Sequence, residues 1–203
     1  MTESVIYYIH YTFLKKEDHL NIINKIIQTN QIGAGTSYQN LTIFPLVADE
    51  MQISEYLTLD EALAAKTATV TEVSESGSVP ELCFQNEGDL PVLLLDGEEL
   101  VGAKQNRVLN LTILAPPHEV IKIPVSCVEQ GRWSHSSKGF HLEDRVMFSR
   151  GRSNKAASVS RSMASEGSRR SDQSEVWQNI SSKSGRFGVS SPTDSMSDIY
   201  EDR

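Results

Sequence analysis

Short runs that alternate apolar and polar residues dominate the middle of the chain, from residue 40 to residue 133. They are LTIFPLV, TATVTEV, VPELCFQN, PVLLL, RVLNLTILA and EVIKIPVSCVE, and turn residues separate them. Alternation with a period of two is typical of half-buried strands, and closely spaced strands without intervening helices pair antiparallel. The pattern predicts a mostly antiparallel β core, a meander arranged as a sandwich or partial barrel, in a protein of the α+β class.

Helical spacing occurs before this core. Leu20, Ile23 and Ile27 lie three or four residues apart and predict a short amphipathic helix over 17–28. The glycine-containing segment QIGAGTSY follows and interrupts the helical pattern. We therefore expect residues 1–35 to form an N-terminal appendage.

A second helix is predicted inside the core region by its start signal. Thr58 is followed three residues later by Glu61, which is the spacing of a capping box. This indicates a short helix over 58–66.

The amino-acid composition changes after Trp133. Nineteen serines lie between residues 134 and 197, which favours either a linker or helices that pack on the sheet. Asp172 resembles an N-cap, and the aromatic Trp177 is unusual for a disordered tract, so helices are favoured, one of them near 173–183. We expect one domain over 38–203, with a β core at 40–133 and a serine-rich, basic helical region at 134–203.

Charge is distributed unevenly along the chain. The formal net charge is −8 overall, with −12 in residues 1–100 and +4 in residues 101–203. A basic half can attract phosphate, although such a run is also typical of a solvated surface.

The N-terminus has no secretory pattern. Glu3 stands where a signal peptide carries positive charge, and His10 interrupts the apolar run. No stretch approaches the roughly 18 apolar residues of a membrane span. With two cysteines, Cys83 and Cys127, the sequence predicts a cytoplasmic protein with reduced thiols and no membrane association.

Several familiar chemistries do not fit. The glycines do not have the spacing of a nucleotide P-loop or a dinucleotide fingerprint. Cys127 precedes Arg132 by five positions, one short of a thiol-phosphatase loop, and the alternation around it predicts a buried, unreactive cysteine. The five histidines have no metal-ligand spacing, so no metal site is expected.

The segment PVLLLDGEELVGAKQNRVLNLTILAPP carries more polar residues than a turn needs. We interpret it as a hairpin from 91 to 114 with its turn at Asp96-Gly97. The amide and cationic side chains after it suit a phosphate, carboxylate or ribose. The predicted ligand-binding residues are Lys104, Gln105, Asn106, Arg107, Arg132 and Trp133. The candidate catalytic acids or bases are Glu98, Glu99 and Glu129, the first two on opposite faces of a strand.

These residues also carry a family resemblance. The stretch from VPELCFQN to NLTILAP, followed by IPVSCVEQGRW, SEVWQNI and SPTDSM, resembles the ARG and rhodanese-phosphatase superfamily-associated protein domain over about residues 38–203. The resemblance implies a setting in ADP-ribose or nucleotide metabolism but no established reaction. Members of this family continue beyond the point that corresponds to Arg203, so we expect a truncated version or an N-terminal portion.

Two hypotheses follow for function. The first is that the chain binds or processes an ADP-ribose-like or other phosphorylated small molecule, with Arg107, Lys104 and Arg132 on anionic groups and Trp133 stacked on a ring. The second is a non-catalytic interaction module that partners an ADP-ribosylglycohydrolase or a phosphatase-like enzyme. A nucleic-acid binder is the weakest reading, because the core is acidic. The sequence identifies no cofactor.

Overall fold

The computed structural model describes Asn24, Gln28 and residues 30–48, 55–74 and 77–201. The chain divides into two compact units, residues 1–54 and residues 55–203. The helix predicted over 17–28 lies outside the described residues, except for Asn24 and Gln28, whose backbone is helical.

Two antiparallel pairs of short strands lie in the first unit. β1 (Asn30–Ile32) pairs with β4 (Leu46–Ala48), and β2 (Thr36–Tyr38) pairs with β3 (Leu41–Ile43). The predicted strand LTIFPLV is thus divided in two near Pro45, which has no N–H to donate to a ladder.

Six strands of the second unit form an antiparallel sheet that curls into a half-barrel. In spatial order they are β13 (Phe140–Val146), β9 (Glu98–Gly102), β10 (Arg107–Leu109), β12 (Val120–Cys127), β7 (Glu81–Asn86) and β6 (Ala68–Glu72). The outermost strands approach each other, since a Cβ built on Gly139 would lie 3.2 Å from the Val70 carbonyl oxygen. The predicted α+β class with a mostly antiparallel β core is confirmed.

Three further strands of the second unit form a smaller sheet. β8 (Val92–Leu94) pairs antiparallel with β11 (Ile113–Ala115) and parallel with β5 (Leu57–Thr58). The predicted strand RVLNLTILA therefore contributes its first half to one sheet and its second half to the other.

The hairpin predicted from 91 to 114 is formed, but its predicted turn at Asp96-Gly97 is wrong. β8 pairs with β11 and β9 pairs with β10 in one antiparallel register, so the chain reverses between β9 and β10. β8 and β9 do not pair, and the Asp96-Gly97 turn carries the chain from the small sheet into the half-barrel. Gly97 has φ +87°, its N–H donates to the Leu109 carbonyl at 2.9 Å, and its own carbonyl accepts from Met147 N at 2.8 Å. The chain does turn at Asp96-Gly97, but this turn lies within one arm of the hairpin and the reversal lies at its tip.

Four helices lie in the described part of the second unit: α1 (Leu59–Ala64), α2 (Ser149–Glu166), α3 (Gln173–Phe187) and α4 (Asp198–Glu201). The capping box before α1 is formed, with Glu61 N donating to Thr58 Oγ1 at 3.3 Å and Thr58 N donating to Glu61 Oε2 at 2.8 Å. The structure confirms the helix predicted over 58–66. None of these helices is long and apolar enough to cross a membrane.

The helix predicted near 173–183 is also confirmed. Asp172 accepts a hydrogen bond from Glu175 N at 3.1 Å, and α3 buries Val176 and Ile180. The serine-rich region thus forms two helices that pack on the sheet rather than a linker.

Two apolar cores lie on opposite faces of the main sheet. Val108 and Leu109 are consecutive in β10 and belong to different cores, as alternation along a strand requires. The first core fills the concave face and includes Leu59, Val70, Leu82, Phe84, Leu100, Leu109 and Phe140. The second lies under α2, α3 and α4 and includes Val128, Met147, Val176, Ile180, Met196 and Ile199.

Polar side chains fix α2 and α3 against the sheet. The buried Lys155 donates from Nζ to the Asp96 carboxylate and to the Leu109 carbonyl, the latter at 2.7 Å. Gln173 donates from Nε2 to the Cys127 carbonyl at 2.8 Å and accepts from Cys127 N at 2.9 Å. These bonds set the axial position of each helix relative to the strands.

Candidate functional site

The hairpin turn between β9 and β10 brings the polar run Lys104-Gln105-Asn106 to one end of the half-barrel. Ala103 opens this turn with φ +40°, a conformation that costs free energy outside glycine. Residues outside the turn stabilise this conformation. The Ala103 carbonyl accepts from Arg132 Nη1 at 2.7 Å, and the Ala103 N–H donates to Ser137 Oγ at 2.9 Å. The surrounding chain therefore imposes the shape of the turn.

Arg107 enters the concave face at the same end. It lies opposite Leu100 on β9 and opposite Cys127 on β12. Its side chain has no solvent exposure, and Nη1 donates to Gln105 Oε1 at 2.8 Å. Nε and Nη2 have no acceptor among the described residues. Burial lowers the pKa of Arg107 below its usual value.

Trp133 is the solvent-facing aromatic of this end. The Arg107 Cζ atom lies 5.8 Å and the Lys104 Nζ atom 5.3 Å from its ring centroid. Both distances are within the range of cation–π attraction. The residue is 50% exposed, so one part of the indole contacts the cations while another remains open to a ligand.

Glu72 reaches the same end from β6. It follows Ala68 and Val70 at alternate positions, and both of these face the first core. Its two carboxylate oxygens are shut off from solvent and have no hydrogen-bond partner among the described residues. We call Glu72, Lys104, Arg107, Cys127 and Trp133 the mouth cluster.

Cys127 is buried beside Arg107, as the sequence predicts. Burial raises the pKa of its thiol, and its Sγ lies 3.4 Å from both the N–H and the carbonyl oxygen of Glu129. A neutral, enclosed thiol is a poor nucleophile. Cys127 is therefore an enclosed neighbour of the Arg107 guanidinium in the mouth cluster and not a nucleophile.

Glu129 and Arg132 form an ion pair behind the hairpin turn. Arg132 Nη2 lies 2.7 Å from Glu129 Oε2, which also accepts from Asn106 N at 3.1 Å. Glu129 Oε1 accepts from Thr193 Oγ1 at 3.0 Å. Arg132 also donates to Asn106 Oδ1 at 3.0 Å. The carboxylate and the guanidinium therefore both stabilise the turn.

Glu99 is joined to this ion pair from the outer face of the sheet. Ser197 Oγ donates to Glu99 Oε1 at 2.9 Å and accepts from Asn106 Nδ2 at 3.2 Å. Arg145 Nε lies 2.8 Å from Glu99 Oε2, although its N–H is not aligned for a hydrogen bond. Burial raises the pKa of Glu99 to about 7. We call Glu99, Asn106, Glu129, Arg132 and Ser197 the Asn106 network.

Glu98 lies apart from both groups. Its carboxylate accepts from Leu95 N at 2.9 Å, and burial is the main cause that raises its pKa, with the nearby Asp60 charge adding to the effect. It faces the concave side at the end of β9 that is remote from Gly102. As adjacent strand residues, Glu98 and Glu99 point to opposite faces.

The structure thus brings most of the sequence-predicted residues together, in two roles. Lys104, Arg107 and Trp133 belong to the mouth cluster, while the other predicted residues except Glu98 hold the turn. Sequence reasoning missed Glu72, although its place in the alternation of TATVTEV could have revealed it. It also missed Arg145 and Ser197, for which the sequence has no local signal.

Two open cavities lie elsewhere, along α3. Their volumes are about 290 Å³ and 540 Å³, and Gln130 and Trp177 line both. Asp194 is the charged residue in the lining of the first, and the second is lined by uncharged residues. Neither offers a cation for an anionic ligand. Within the described ranges there is also no group of three potential metal ligands.

Comparison of the sequence with models of known protein families identifies the family of this chain. The family model of the ARPP-1 domain, the ARG and Rhodanese-Phosphatase-superfamily-associated Protein domain, matches residues 29–203. The chain belongs to this family. The match to the ARPP-1 family begins at residue 29 rather than 38, so it includes the paired strands of the first unit. Searches of curated proteins and of solved structures gave no significant match.

Proposed function

We propose that this ARPP-1 domain binds an anionic small molecule of the ADP-ribose kind at the mouth cluster. The observation that carries the proposal is the state of Arg107. Its guanidinium is fully buried, and its Nε and Nη2 atoms have no acceptor among the described residues. A buried cation without its full set of acceptors is costly, and an anionic ligand would supply them.

The orientation of Arg107 selects the kind of anion. Gln105 Oε1 holds Nη1, so the guanidinium cannot rotate freely. Nε and Nη2 lie along one edge of the group, and that edge binds two oxygens of a single phosphate or carboxylate. Lys104 adds a second positive charge near Trp133, since its Nζ atom lies 5.3 Å from the ring centroid.

Trp133 supports a ligand that carries a ring. The indole is half exposed, and exposed aromatic surface beside two cations suits stacking on a base or nicotinamide. The name of the family links these domains to ARG and rhodanese-phosphatase proteins, which is in keeping with ADP-ribose or nucleotide ligands. The candidate acids Glu99 and Glu129 are engaged in internal contacts, so binding is proposed in preference to catalysis.

The test is a thermal-shift screen against NAD, ADP-ribose, cyclic ADP-ribose isomers and nucleotides, with inorganic phosphate as the simplest anion. A ligand at a hundredfold excess over its Kd stabilises the folded state by about 2.7 kcal/mol. Trp177→Phe leaves Trp133 as the single tryptophan, so its fluorescence reports binding at the mouth cluster.

Variants locate the site. Arg107→Lys retains a positive charge but loses the two-donor edge, so it should weaken binding by at least about tenfold. Trp133→Leu should also weaken it, whereas Phe187→Leu should not. Phe187 is the matched control, because it is 51% exposed and lies 4.6 Å from the Lys183 cation. Equal affinities in all three variants, or no shift with any ligand, would overturn the proposal.

Arg107 is not a surface residue. Because its side chain is fully buried, Arg107→Ala would leave a cavity and confuse lost binding with lost stability. Arg107→Lys is therefore the informative substitution.

A second candidate, protein interaction, is favoured by the first unit. Large apolar side chains are exposed on its strands, with Ile32 at 72%, Tyr38 at 75% and Leu46 at 71%. Apolar residues grouped in this way are typical of an interface. The partner we propose is an ADP-ribosylglycohydrolase. Co-elution of the two purified proteins, lost in Ile32→Ser with Leu46→Ser, would support it, and separate elution would exclude it.

A further inference from the structure

Glu72 is a half-buried acid, with its carboxylate oxygens shut off from solvent, that the predicted site did not contain. Both of its carboxylate oxygens lack a partner among the described residues, as do Arg107 Nε and Nη2. The Glu72 charge acts on the Arg107 guanidinium, yet the two side chains do not hydrogen-bond each other. The mouth cluster therefore holds unused acceptors and unused donors close together.

Lys104 also lies near Glu72. A Cβ built on Gly77 would lie 3.4 Å from Glu72 Oε2 and 3.5 Å from Lys104 Nζ. The two charged groups thus approach the same small space beside Gly77. The carboxylate thus has two cations near it, Lys104 beside Gly77 and Arg107, on which its charge acts.

We propose that Glu72 binds the two adjacent hydroxyls of a ribose whose phosphate is held by Arg107. This inference rests on the proposed function, because it assumes that Arg107 binds the anionic group. The ligand class it names is a ribosyl phosphate with a free vicinal diol.

The chemistry follows from the hydrogen-bonding capacity of each group. An ionised carboxylate is an acceptor at both oxygens, so its natural partners are two donors set side by side. The adjacent hydroxyls of ribose supply such a pair, whereas a phosphate at this position would be repelled. The phosphate is directed instead to the Nε and Nη2 edge of Arg107, which can only donate.

Two consequences distinguish this arrangement from a general anion site. A ligand that lacks the 2′-hydroxyl leaves one Glu72 oxygen unsatisfied in a buried position, so it binds less tightly. A ligand that carries a phosphate on the 2′-oxygen brings a negative charge to the carboxylate and is rejected more strongly.

The experiment compares AMP, 2′-deoxy-AMP and 2′,5′-ADP by calorimetry with the full chain. For the wild type we expect AMP to bind at least about tenfold more tightly than 2′-deoxy-AMP, since hydrogen bonds to charged groups are worth this much. 2′,5′-ADP should bind more weakly still. Ribose 5-phosphate in place of AMP shows whether the base contributes.

Glu72→Gln is the decisive variant. It keeps the shape of the side chain but removes the charge, so the preference for AMP over 2′-deoxy-AMP should fall to about threefold or less, and 2′,5′-ADP should gain affinity. Glu81→Gln is the matched control, since Glu81 lies on the neighbouring strand with an exposed side chain. A thermal melt checks that both variants are folded.

The outcomes separate the two proposals. If the wild type binds AMP and 2′-deoxy-AMP equally, or if Glu72→Gln leaves their ratio unchanged, the ribose assignment is wrong while anion binding at Arg107 stands. If no phosphate compound binds, both proposals are wrong.

Discussion

Glu99 Oε2 lies 2.8 Å from Arg145 Nε, where strands β9 and β13 meet the residues that lead into α4. Glu99 has no solvent exposure. Burial outweighs the attraction of Arg145 and raises the pKa of Glu99 from 4.5 to about 7. A carboxyl group in this state makes the stability of the fold depend on pH.

The sign of this dependence is opposite to that of an ordinary surface acid. Between pH 4.5 and about 7 the folded state binds a proton at Glu99 and the unfolded state does not, so rising pH favours unfolding. The contribution is fully present below pH 4.5 and is lost through about pH 7. It amounts to about 3 kcal/mol at about 1.4 kcal/mol per pKa unit.

Glu99→Gln should remove this contribution. We expect the free energy of unfolding of the variant, relative to wild type, to rise as the pH increases from about 5 to about 8. Urea denaturation at a series of pH values measures it, with the exposed Glu166→Gln as a control. Parallel pH profiles for wild type and Glu99→Gln would contradict the prediction.

Asp96 and Lys155 should respond unequally to substitution. Asp96→Asn leaves the buried Lys155 ammonium without its counter-charge and should cost about 3 kcal/mol. Lys155→Met replaces the cation by an apolar chain of similar length, and Asp96→Asn in that background should cost much less. Burial already lowers the pKa of Lys155, which shows that its environment disfavours the charged form.

The control for this pair is the exposed pair Lys122 and Glu81, whose charged atoms lie 3.7 Å apart. Glu81→Gln should change the free energy of unfolding by less than about 1 kcal/mol. Urea denaturation of each variant provides the comparison. Equal losses from Asp96→Asn and Glu81→Gln would show that Lys155 is not held by its partner.

The two cysteines should differ in reactivity. Cys127 is buried and burial raises its pKa, whereas Cys83 is half-buried. With a disulfide reagent at neutral pH we expect Cys83 to react first and Cys127 to react only when the protein unfolds. Cys83→Ser should remove the fast phase. Modification of folded Cys127 at the rate of a free thiol would refute the assignment.

Two glycines should give opposite results when changed to alanine. Gly102 has φ +131°, and a Cβ there would lie 2.5 Å from the Gly139 carbonyl oxygen. Gly102→Ala should therefore cost more than about 1 kcal/mol. Gly185 lies in α3 with nothing within 4 Å of its Cβ position, so Gly185→Ala should stabilise by about 0.5–1 kcal/mol. Thermal melts of both variants test the contrast.

Features that depend on a few neighbouring residues were predictable from the sequence. Thr58 with Glu61 and Asp172 with Glu175 mark helix starts, because a cap is formed within one turn. The buried position of Cys127 followed from alternation. The first half of RVLNLTILA was also recognisable as a strand, but not its separation from the second half.

Pairing across the chain was not predictable in the same way. Ser197 donates to Glu99 across 98 positions, and a serine in a serine-rich segment carries no sign of its partner. Asp96-Gly97 does turn the chain, but whether β8 pairs with β9 depends on β11 and β13, which compete for the same ladders. The proximity of Lys104 and Arg107 could be predicted because they lie three residues apart in the sequence, and the site itself stays a prediction.

The glutamine at the start of α3 has one more consequence for the main sheet. Gln173 occupies both the N–H and the carbonyl of Cys127, on the side of β12 where the neighbouring strand has already ended. Without it, this stretch of backbone would be an unprotected edge, able to recruit an extended peptide from another molecule. One amide side chain thus completes the ladder, and its loss would favour self-association before it favoured unfolding.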